Sequence, residues 1–240
     1  MSTQAVRNLD ESFRTNIQVR KKGSKSESYY TILKYFAGIT QFLTWPIAYA
    51  FFNLLFKIKI NGRENLRNIK SPFIIISNHV LFYDSFLFRL ILGFNTYHLP
   101  LRFMAVKDFS HWYLNFLSKI RIVDIVYGLF GVFVVYQGRG IHKNLEEAVR
   151  IIKNNGNVVI YPEGSVISNG KVENFKHGAS VLAKMTGATV IPISMKLKKG
   201  KLRREFIINI GRDIKYNESD SSKEITRIFH KVITKLHSRD

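Results

Sequence analysis

The short stretch Asn78–Asp84 places a histidine and an aspartate five residues apart among apolar neighbours. It follows an apolar run that predicts a buried strand, where an unpaired imidazole or carboxylate is costly. Five residues of a regular helix turn through about 500°, so His79 and Asp84 meet only if the histidine lies in the turn and the aspartate begins the next helix. A histidine oriented by a carboxylate is a base that makes a hydroxyl nucleophilic. The alternative is a satisfied core histidine beside a helix-capping acid, and the spacing alone leaves both open.

A second polar group, Pro-Glu-Gly-Ser, follows the strand-like run NVVIY. Glu163 and Gly164 offer a carboxylate and backbone amides at a strand end, where α/β sheets bind ligands. The alternative is a plain turn. Further along, Lys176 and Gly178 precede a predicted helix, and the amino end of a helix favours anions. These positions are candidates for binding an anionic substrate.

Apolar runs bounded by turn residues predict strands, and apolar stripes at helical spacing predict helices. The predicted strands are 57–60, 73–77, 103–106, 132–135, 157–161, 189–197 and 205–210. The predicted helices are 85–93, 109–120, 144–156, 179–187 and 221–237, with Asn144 and either Ser221 or Ser222 as caps. Pro192 within a strand predicts an edge strand or a bulge. The alternation predicts an α/β fold, in which helices pack on one layered, largely parallel or mixed sheet.

The composition indicates a folded chain with an anionic partner. The 240 residues carry a formal charge of +20, and 46% of them are hydrophobic, which excludes a disordered chain. A surface this basic fits nucleic acid or an anionic membrane leaflet. The chain has no cysteine, and this excludes disulfides, thiol nucleophiles and cysteine-ligated zinc.

The run 35–56 contains no charged side chain and lies between Lys34 and Lys57. It is long enough to cross a bilayer, but Pro46 beside Trp45 also predicts two short helices half sunk in one leaflet. A buried core helix and a signal peptide are the remaining alternatives. The predicted organisation is therefore a flexible basic arm over 1–28, a membrane-anchoring helical segment over 29–56 and a catalytic domain over 57–240.

The order of the motifs is more specific than any one of them. Asn-His-x4-Asp, then Pro-Glu-Gly-Ser, Phe-Lys-x-Gly and Val-Ile-Pro, spaced as here, resemble the glycerophospholipid acyltransferase family, and most of all its 1-acyl-sn-glycerol-3-phosphate acyltransferases. The resemblance extends from about Asn61 to Ile193. The apolar N-terminal segment is also similar to the membrane anchor of that family.

The resemblance implies a reaction and a role for each residue. His79 would take the proton from an acceptor hydroxyl as it attacks an acyl thioester, and Asp84 would hold the imidazole. Glu163, Gly164 and Ser165 would line the acceptor pocket. The co-substrate would be acyl-coenzyme A or an acyl carrier protein thioester, with no bound cofactor and no metal. The enzyme would work on membrane lipids, attached to the membrane as a monotopic or single-span protein, with its active site on the cytoplasmic side.

The chain departs from the family pattern where the acceptor phosphate is expected to bind. Many members carry an arginine at the positions that correspond to Gln137 and Val166, while Arg139, Lys171 and Lys176 are nearby cations that could replace them. Lysophosphatidic acid is therefore the first acceptor to test, with another lysophospholipid or lyso-ornithine lipid as the alternative.

Two functions other than catalysis are alternatives. A nucleic-acid binder would interleave aromatic and basic residues on one face or carry a known motif, and the sequence has neither, so no nucleic-acid partner is expected. A catalytically silent lipid-binding relative would lack the paired His79 and Asp84, which are both present.

Overall fold

The computed structural model describes residues 27–81, 83–93, 98–106, 122–136, 138, 140–167, 169–217 and 219–239. Three predictions concern residues outside these ranges: the basic arm up to residue 26, the helix 109–120, and the candidate residues Gln137 and Arg139.

Within the ranges given above, seven strands form one mixed sheet. They are β1 Phe56–Asn61, β2 Phe73–Ser77, β3 Leu101–Val106, β4 Val132–Val135, β5 Asn157–Ile160, β6 Thr189–Lys198 and β7 Arg204–Ile210. Their order across the sheet is β1-β7-β6-β2-β5-β3-β4. Neighbouring strands pair in parallel, except β6 and β7, which are antiparallel. The predicted α/β fold with a largely parallel, mixed sheet is confirmed.

In the described part of the chain, seven α-helices surround or precede the sheet. They are α1 Glu27–Leu43, α2 Trp45–Leu55, α3 Leu87–Leu92, α4 Ile122–Leu129, α5 Ile141–Lys153, α6 Gly178–Thr186 and α7 Ser222–His237, and short 3-10 helices cover Arg63–Leu66 and Asp84–Phe86. A capping box on Ser221 begins α7, as predicted. The sequence did not predict α4.

The predicted cap of α5 is wrong. The helix begins at Ile141, three residues before Asn144. The Asn144 side chain instead accepts a hydrogen bond from Tyr136 N at 3.1 Å and donates one to Tyr136 O at 2.8 Å. Its amide thus satisfies the backbone at the end of β4, a partner that the local sequence could not indicate.

Of the two alternatives predicted for Pro192, the edge strand is wrong, because β6 lies between β7 and β2. The bulge fits, because Ile193 pairs with Ile210 and Val190 with Ile214, so the segment opposite Pro192 holds one residue more than β6 does. The β6–β7 ladder ends at the pair Ile193↔Ile210, one residue after the proline. The carbonyl of Pro192 accepts a hydrogen bond from Gly211 N, and a strand residue points its nitrogen to the same side as its carbonyl. The proline nitrogen therefore faces the side where the ladder has stopped, so the missing N–H costs no ladder bond.

The sheet separates two apolar cores, as the alternation of side chains along β2 illustrates. Phe73 and Ile75 pack on one face with α3 and with Phe52 of α2. Ile74 and Ile76 pack on the other face with α5, α6 and α7. Each fully buried side chain of this size contributes about 1.5–3 kcal/mol to the stability of the fold. Because both faces of β2 are buried, the register of this strand is fixed, and with it the position of His79, which follows the strand.

The helices α1 and α2, which we call the N-terminal helix pair, are separated at Thr44. Gln41 joins α1 to the rest of the chain: its buried amide donates to Leu101 O at 2.7 Å and Phe130 O at 2.9 Å, and accepts from Leu101 N at 3.0 Å. In the part of the chain that the structure describes, no helix has the length and hydropathy needed to cross a membrane.

The parallel pairing of β2 and β5 brings two chain segments together. Both strands end at one edge of the sheet, which we call the carboxyl edge. Asn78 and His79 follow β2 at this edge, and Tyr161 follows β5. Because β6 is parallel to β2, the connection from β6 to β7 lies at the same edge, as does the start of β1.

Candidate active site

The structure brings His79 and Asp84 together. His79 lies in the turn after β2, and Asp84 begins the 3-10 helix Asp84–Phe86. His79 Nδ1 is 2.9 Å from Asp84 Oδ2, and the aspartate side chain is 0% exposed while the histidine side chain is 16% exposed. This is the arrangement under which the sequence allowed the two side chains to meet, with the histidine in the turn and the aspartate at the start of the next helix.

The Asp84 carboxylate is held by donors on both of its oxygens. Oδ2 accepts hydrogen bonds from Val80 N at 2.9 Å and Leu81 N at 3.3 Å, in addition to its contact with His79. Oδ1 accepts the hydroxyl of Tyr161 at 2.8 Å. A carboxylate accepts and does not donate, so the proton of the neutral His79 ring lies on Nδ1 and the lone pair lies on Nε2. The ring can therefore take up a proton at Nε2.

Tyr161 contacts both His79 and Asp84, and the sequence did not predict these contacts. Its ring stacks on the His79 ring, with centroids 4.0 Å apart and planes 13° from parallel. Its hydroxyl also lies 3.1 Å from Ser85 Oγ. Burial and the charge of Asp84 raise the pKa of the Tyr161 hydroxyl well above its ordinary value, so the group stays protonated and donates. The signal was its position, since Tyr161 ends the strand-like run that pairs with the strand before His79.

Glu163 holds the backbone of His79 in place. Its carboxylate is buried, and Oε2 accepts from His79 N at 2.8 Å while Oε1 accepts from Glu173 N at 3.0 Å. Burial raises the pKa of Glu163, and these two hydrogen bonds oppose that rise. His79 O in turn accepts from Ile167 N at 2.7 Å. The loop after β5 therefore fixes both sides of the histidine backbone. The predicted contact of Glu163 with the acceptor stays a prediction.

The remaining candidates lie along the same loop. Gly164 has φ +75°, and a β-carbon at this position would lie only 2.6 Å from Lys176 Nζ, so the lysine side chain lies against this glycine. Lys176 N donates to Pro162 O at 2.8 Å, which closes the loop at its base. Ser165 and Lys176 are exposed, and Gly178 is the first residue of α6. The structure thus places one exposed ammonium group beside the Glu163-Gly164 turn.

Comparisons with known proteins show which family the chain resembles. The model of the family described as Acyltransferase matches residues 57–196. The chain is 29% identical over 161 residues to the chloroplastic 1-acyl-sn-glycerol-3-phosphate acyltransferase LPAT1 of Arabidopsis thaliana, covering 65% of this chain and 41% of that protein. It is 26% identical over 161 residues to the 1-acyl-sn-glycerol-3-phosphate acyltransferase of Borreliella burgdorferi, covering 66% of this chain and 58% of that protein. The chain thus matches about two fifths to three fifths of the length of these relatives.

The fold has a counterpart among solved structures. The crystal structure of the 1-acyl-sn-glycerophosphate acyltransferase PlsC from Thermotoga maritima superimposes with a TM-score of 0.56 at 19% sequence identity. The match covers 95% of this chain and 90% of that one. The similarity therefore includes the sheet and the order of the elements around it.

Proposed function

This chain belongs to the Acyltransferase family, and we propose that it transfers a fatty acyl group from an acyl thioester to the free hydroxyl of a lysophospholipid. The observation that carries the proposal is the contact of 2.9 Å between His79 Nδ1 and a buried, fully hydrogen-bonded Asp84. That contact leaves the lone pair of His79 Nε2 for a substrate hydroxyl, which is what a general base requires.

The proposed reaction proceeds without a covalent enzyme intermediate. His79 Nε2 accepts the proton of the acceptor hydroxyl as its oxygen attacks the thioester carbonyl. The carbon–sulfur bond breaks, the carbon–oxygen bond of the ester forms, and His79 returns the proton to the leaving thiolate. Asp84 stabilises the imidazolium between these steps. We expect the chemistry to need the acyl thioester as co-substrate and no bound cofactor.

We propose lysophosphatidic acid as the acceptor, with phosphatidic acid as the product. The similarity to 1-acyl-sn-glycerol-3-phosphate acyltransferases of plants, an alga and a bacterium supports this acceptor. The exposed Lys176 beside Gly164 is suited to a phosphate, and Gly164, Ser165 and Gly178 would complete the acceptor site. Val166 stands where many members carry a phosphate-binding arginine, so another lysophospholipid or lyso-ornithine lipid is the second candidate. Arg139 stays a prediction.

We propose that the N-terminal helix pair lies in one membrane leaflet. The side chains that support this are large, apolar and exposed: Ile32, Tyr35, Phe36, Ile39, Phe42, Leu43, Ile47, Tyr49, Phe51, Leu54 and Leu55. An exposed apolar surface of this extent is typical of a membrane or protein contact. The lipid acceptor would then reach the site from the bilayer, and the thioester from the cytoplasm.

The proposal is tested by direct assay. The purified chain in detergent micelles is given labelled acyl-coenzyme A or acyl carrier protein thioester, with lysophosphatidate, other lysophospholipids or lyso-ornithine lipid as acceptor. We expect phosphatidic acid to form fastest, and His79→Ala to lower kcat at least about 100-fold, while the control His142→Ala on α5 keeps full activity. Turnover that survives His79→Ala would refute the mechanism, and preference for another lysolipid would refute only the proposed acceptor.

A further inference from the structure

The connection between β6 and β7 presents a fully exposed leucine among cations. We call residues 199–203, with the sequence Lys-Gly-Lys-Leu-Arg, the basic tip. Leu202 is 99% exposed, more than any other large apolar side chain in the part of the chain that the structure describes. Lys199, Lys201 and Arg203 flank it, and Arg204 follows. A bare apolar side chain between cations is what an anionic lipid surface binds, because the leucine enters the headgroup region while the charges meet phosphates.

The basic tip adjoins the N-terminal helix pair. The Arg203 guanidinium donates to Asn53 O at 2.6 Å, at the carboxyl end of α2. Phe56, the first residue of β1, pairs with Arg204 at the start of β7. Leu54, which follows Asn53 in the last turn of α2, is 73% exposed. The apolar face of α2 and the cations of the tip are thus continuous.

The basic tip also lies at the carboxyl edge, near His79. The amide of Asn78 exchanges two hydrogen bonds of 2.8 Å with the backbone of Met195 on β6. The tip begins four residues further along, at about 13 Å for an extended strand. A membrane surface that contacts the tip therefore passes close to the carboxyl edge of the sheet, where His79 lies.

From these three observations we infer that the basic tip is a second membrane contact, which binds an anionic bilayer through its cations and inserts Leu202 between the headgroups. Its partner is a membrane rather than nucleic acid, because the most exposed residue is apolar and because the neighbouring surface on α2 is apolar. The tip thus adds a contact at the carboxyl edge, next to the carboxyl end of α2, and with the helix pair it holds the protein against the bilayer. The inference takes its lipid substrate from the proposed function, but its test measures binding and requires no turnover.

The absence of cysteine in the sequence permits a site-specific test. Leu202→Cys, labelled with an environment-sensitive fluorophore, is mixed with vesicles of phosphatidylcholine with or without phosphatidylglycerol. We expect a blue shift and an intensity increase on the vesicles with phosphatidylglycerol. Lys153→Cys, labelled in the same way, is the control, because Lys153 ends α5 at the opposite edge of the sheet and should show no shift. Equal signals at the two positions, or no signal at 202 while the protein sediments with the vesicles, would overturn the inference.

Charge reversal gives an independent readout. Lys199→Glu with Lys201→Glu should weaken binding to these vesicles about 30-fold or more, and binding by the unaltered chain should weaken with added salt. Lys70→Glu with Lys153→Glu makes the same change in net charge at the opposite edge and should weaken binding much less. Equal losses in the two double variants would overturn the inference. So would a chain that binds DNA in place of these vesicles and loses that DNA binding in Lys199→Glu with Lys201→Glu. Acyl transfer in detergent micelles should persist in all four variants, so a failure here is distinct from a failure of the proposed function.

Discussion

Around His79 and Asp84, polar atoms are buried and paired, whereas on the N-terminal helix pair apolar side chains are exposed. Both oxygens of Asp84 accept hydrogen bonds, and the neighbouring loop fixes the N–H and the carbonyl of His79. The helix pair, in contrast, exposes an apolar face and joins the sheet through a few defined contacts, with Gln41 on α1 and Arg203 on the basic tip among them.

The difference is what the two proposed roles require. A general base gains rate only if its orientation is fixed before the substrate arrives, and neighbouring groups must therefore hold it. A surface that enters a leaflet needs exposed apolar area, which would be lost if it were packed against the sheet. Substitutions in the two regions should accordingly affect different measurements. Those at His79 and Asp84 should change turnover, and those on the helix pair should change stability or lipid binding.

The largest effect is expected at Asp84. In Asp84→Asn an amide nitrogen replaces one oxygen and meets the donors Val80 N–H or Tyr161 O–H, and the imidazole loses the charge that fixes its proton on Nδ1. We expect kcat to fall about 1000-fold in detergent micelles, with vesicle binding unchanged. A loss of less than tenfold would show that the aspartate does not orient the base.

The next effect concerns the docking of the helix pair. Gln41→Ala leaves the backbone N–H and carbonyl of Leu101 and the carbonyl of Phe130 without their amide partner. A buried polar group left in this way costs about 1–3 kcal/mol, so we expect the free energy of unfolding in urea to fall by about 2 kcal/mol, with kcat nearly unchanged. Asn53→Ala removes an amide that donates within its own helix, to Tyr49 O, and should cost much less. Equal losses would contradict a docking role for Gln41.

Properties set by neighbouring residues could be predicted from the sequence. The strands were found because their apolar, β-branched runs end at turn residues. The pairing of His79 with Asp84 was left open by their spacing and was expected only from the order of the motifs along the chain. Contacts between distant segments were missed. Tyr161 and Glu163 are 77 and 84 positions away from Asp84 and His79, and only the parallel pairing of β2 and β5 brings them together.

The wrong cap at Asn144 and the wrong alternative for Pro192, the edge strand, have the same origin. The rule for Pro192 is correct for an isolated strand, but it cannot tell where the partner strand ends. Asn144 is a good helix cap by composition, yet the end of β4 offers its amide two partners. The helix α4 was missed because its apolar run continues into β4 at Val132, so the sequence does not show where the helix ends and the strand begins.

A smaller effect is expected at Tyr161. Tyr161→Phe keeps the ring that stacks on His79 but removes the hydroxyl that donates to Asp84. Removing this donor leaves Oδ1 of the carboxylate that orients His79 without its partner, so kcat should fall about tenfold while KM changes little. Tyr216→Phe, which packs against the core on the other side of the sheet, should change neither. An unchanged kcat would limit Tyr161 to packing.

The smallest effect concerns how far the rigidity of the site extends. His237 at the end of α7 is buried, with Nδ1 3.1 Å from Ser194 Oγ and Nε2 3.1 Å from Gly170 O on the loop that carries Glu163. Burial, and to a lesser degree the charge of Lys196, lowers the pKa of His237, while the contact with Gly170 opposes this shift. The unfolded chain therefore binds the proton more tightly. The contribution of His237 to stability is present above its ordinary pKa of about 6.5 and is lost as the pH falls towards the lower pKa of the folded state.

Between pH 7.5 and 5.5 the free energy of unfolding should accordingly fall further in the unaltered chain than in His237→Asn, by less than about 1 kcal/mol. Urea titrations at the two pH values measure the difference, and His142→Asn on the exposed start of α5 serves as the control. If kcat falls along with stability in His237→Asn, then α7 contributes to holding the loop that positions His79. If stability alone changes, then the hydrogen bonds of Glu163 are enough to position His79, and the part of the loop near Gly170 does not contribute to that position.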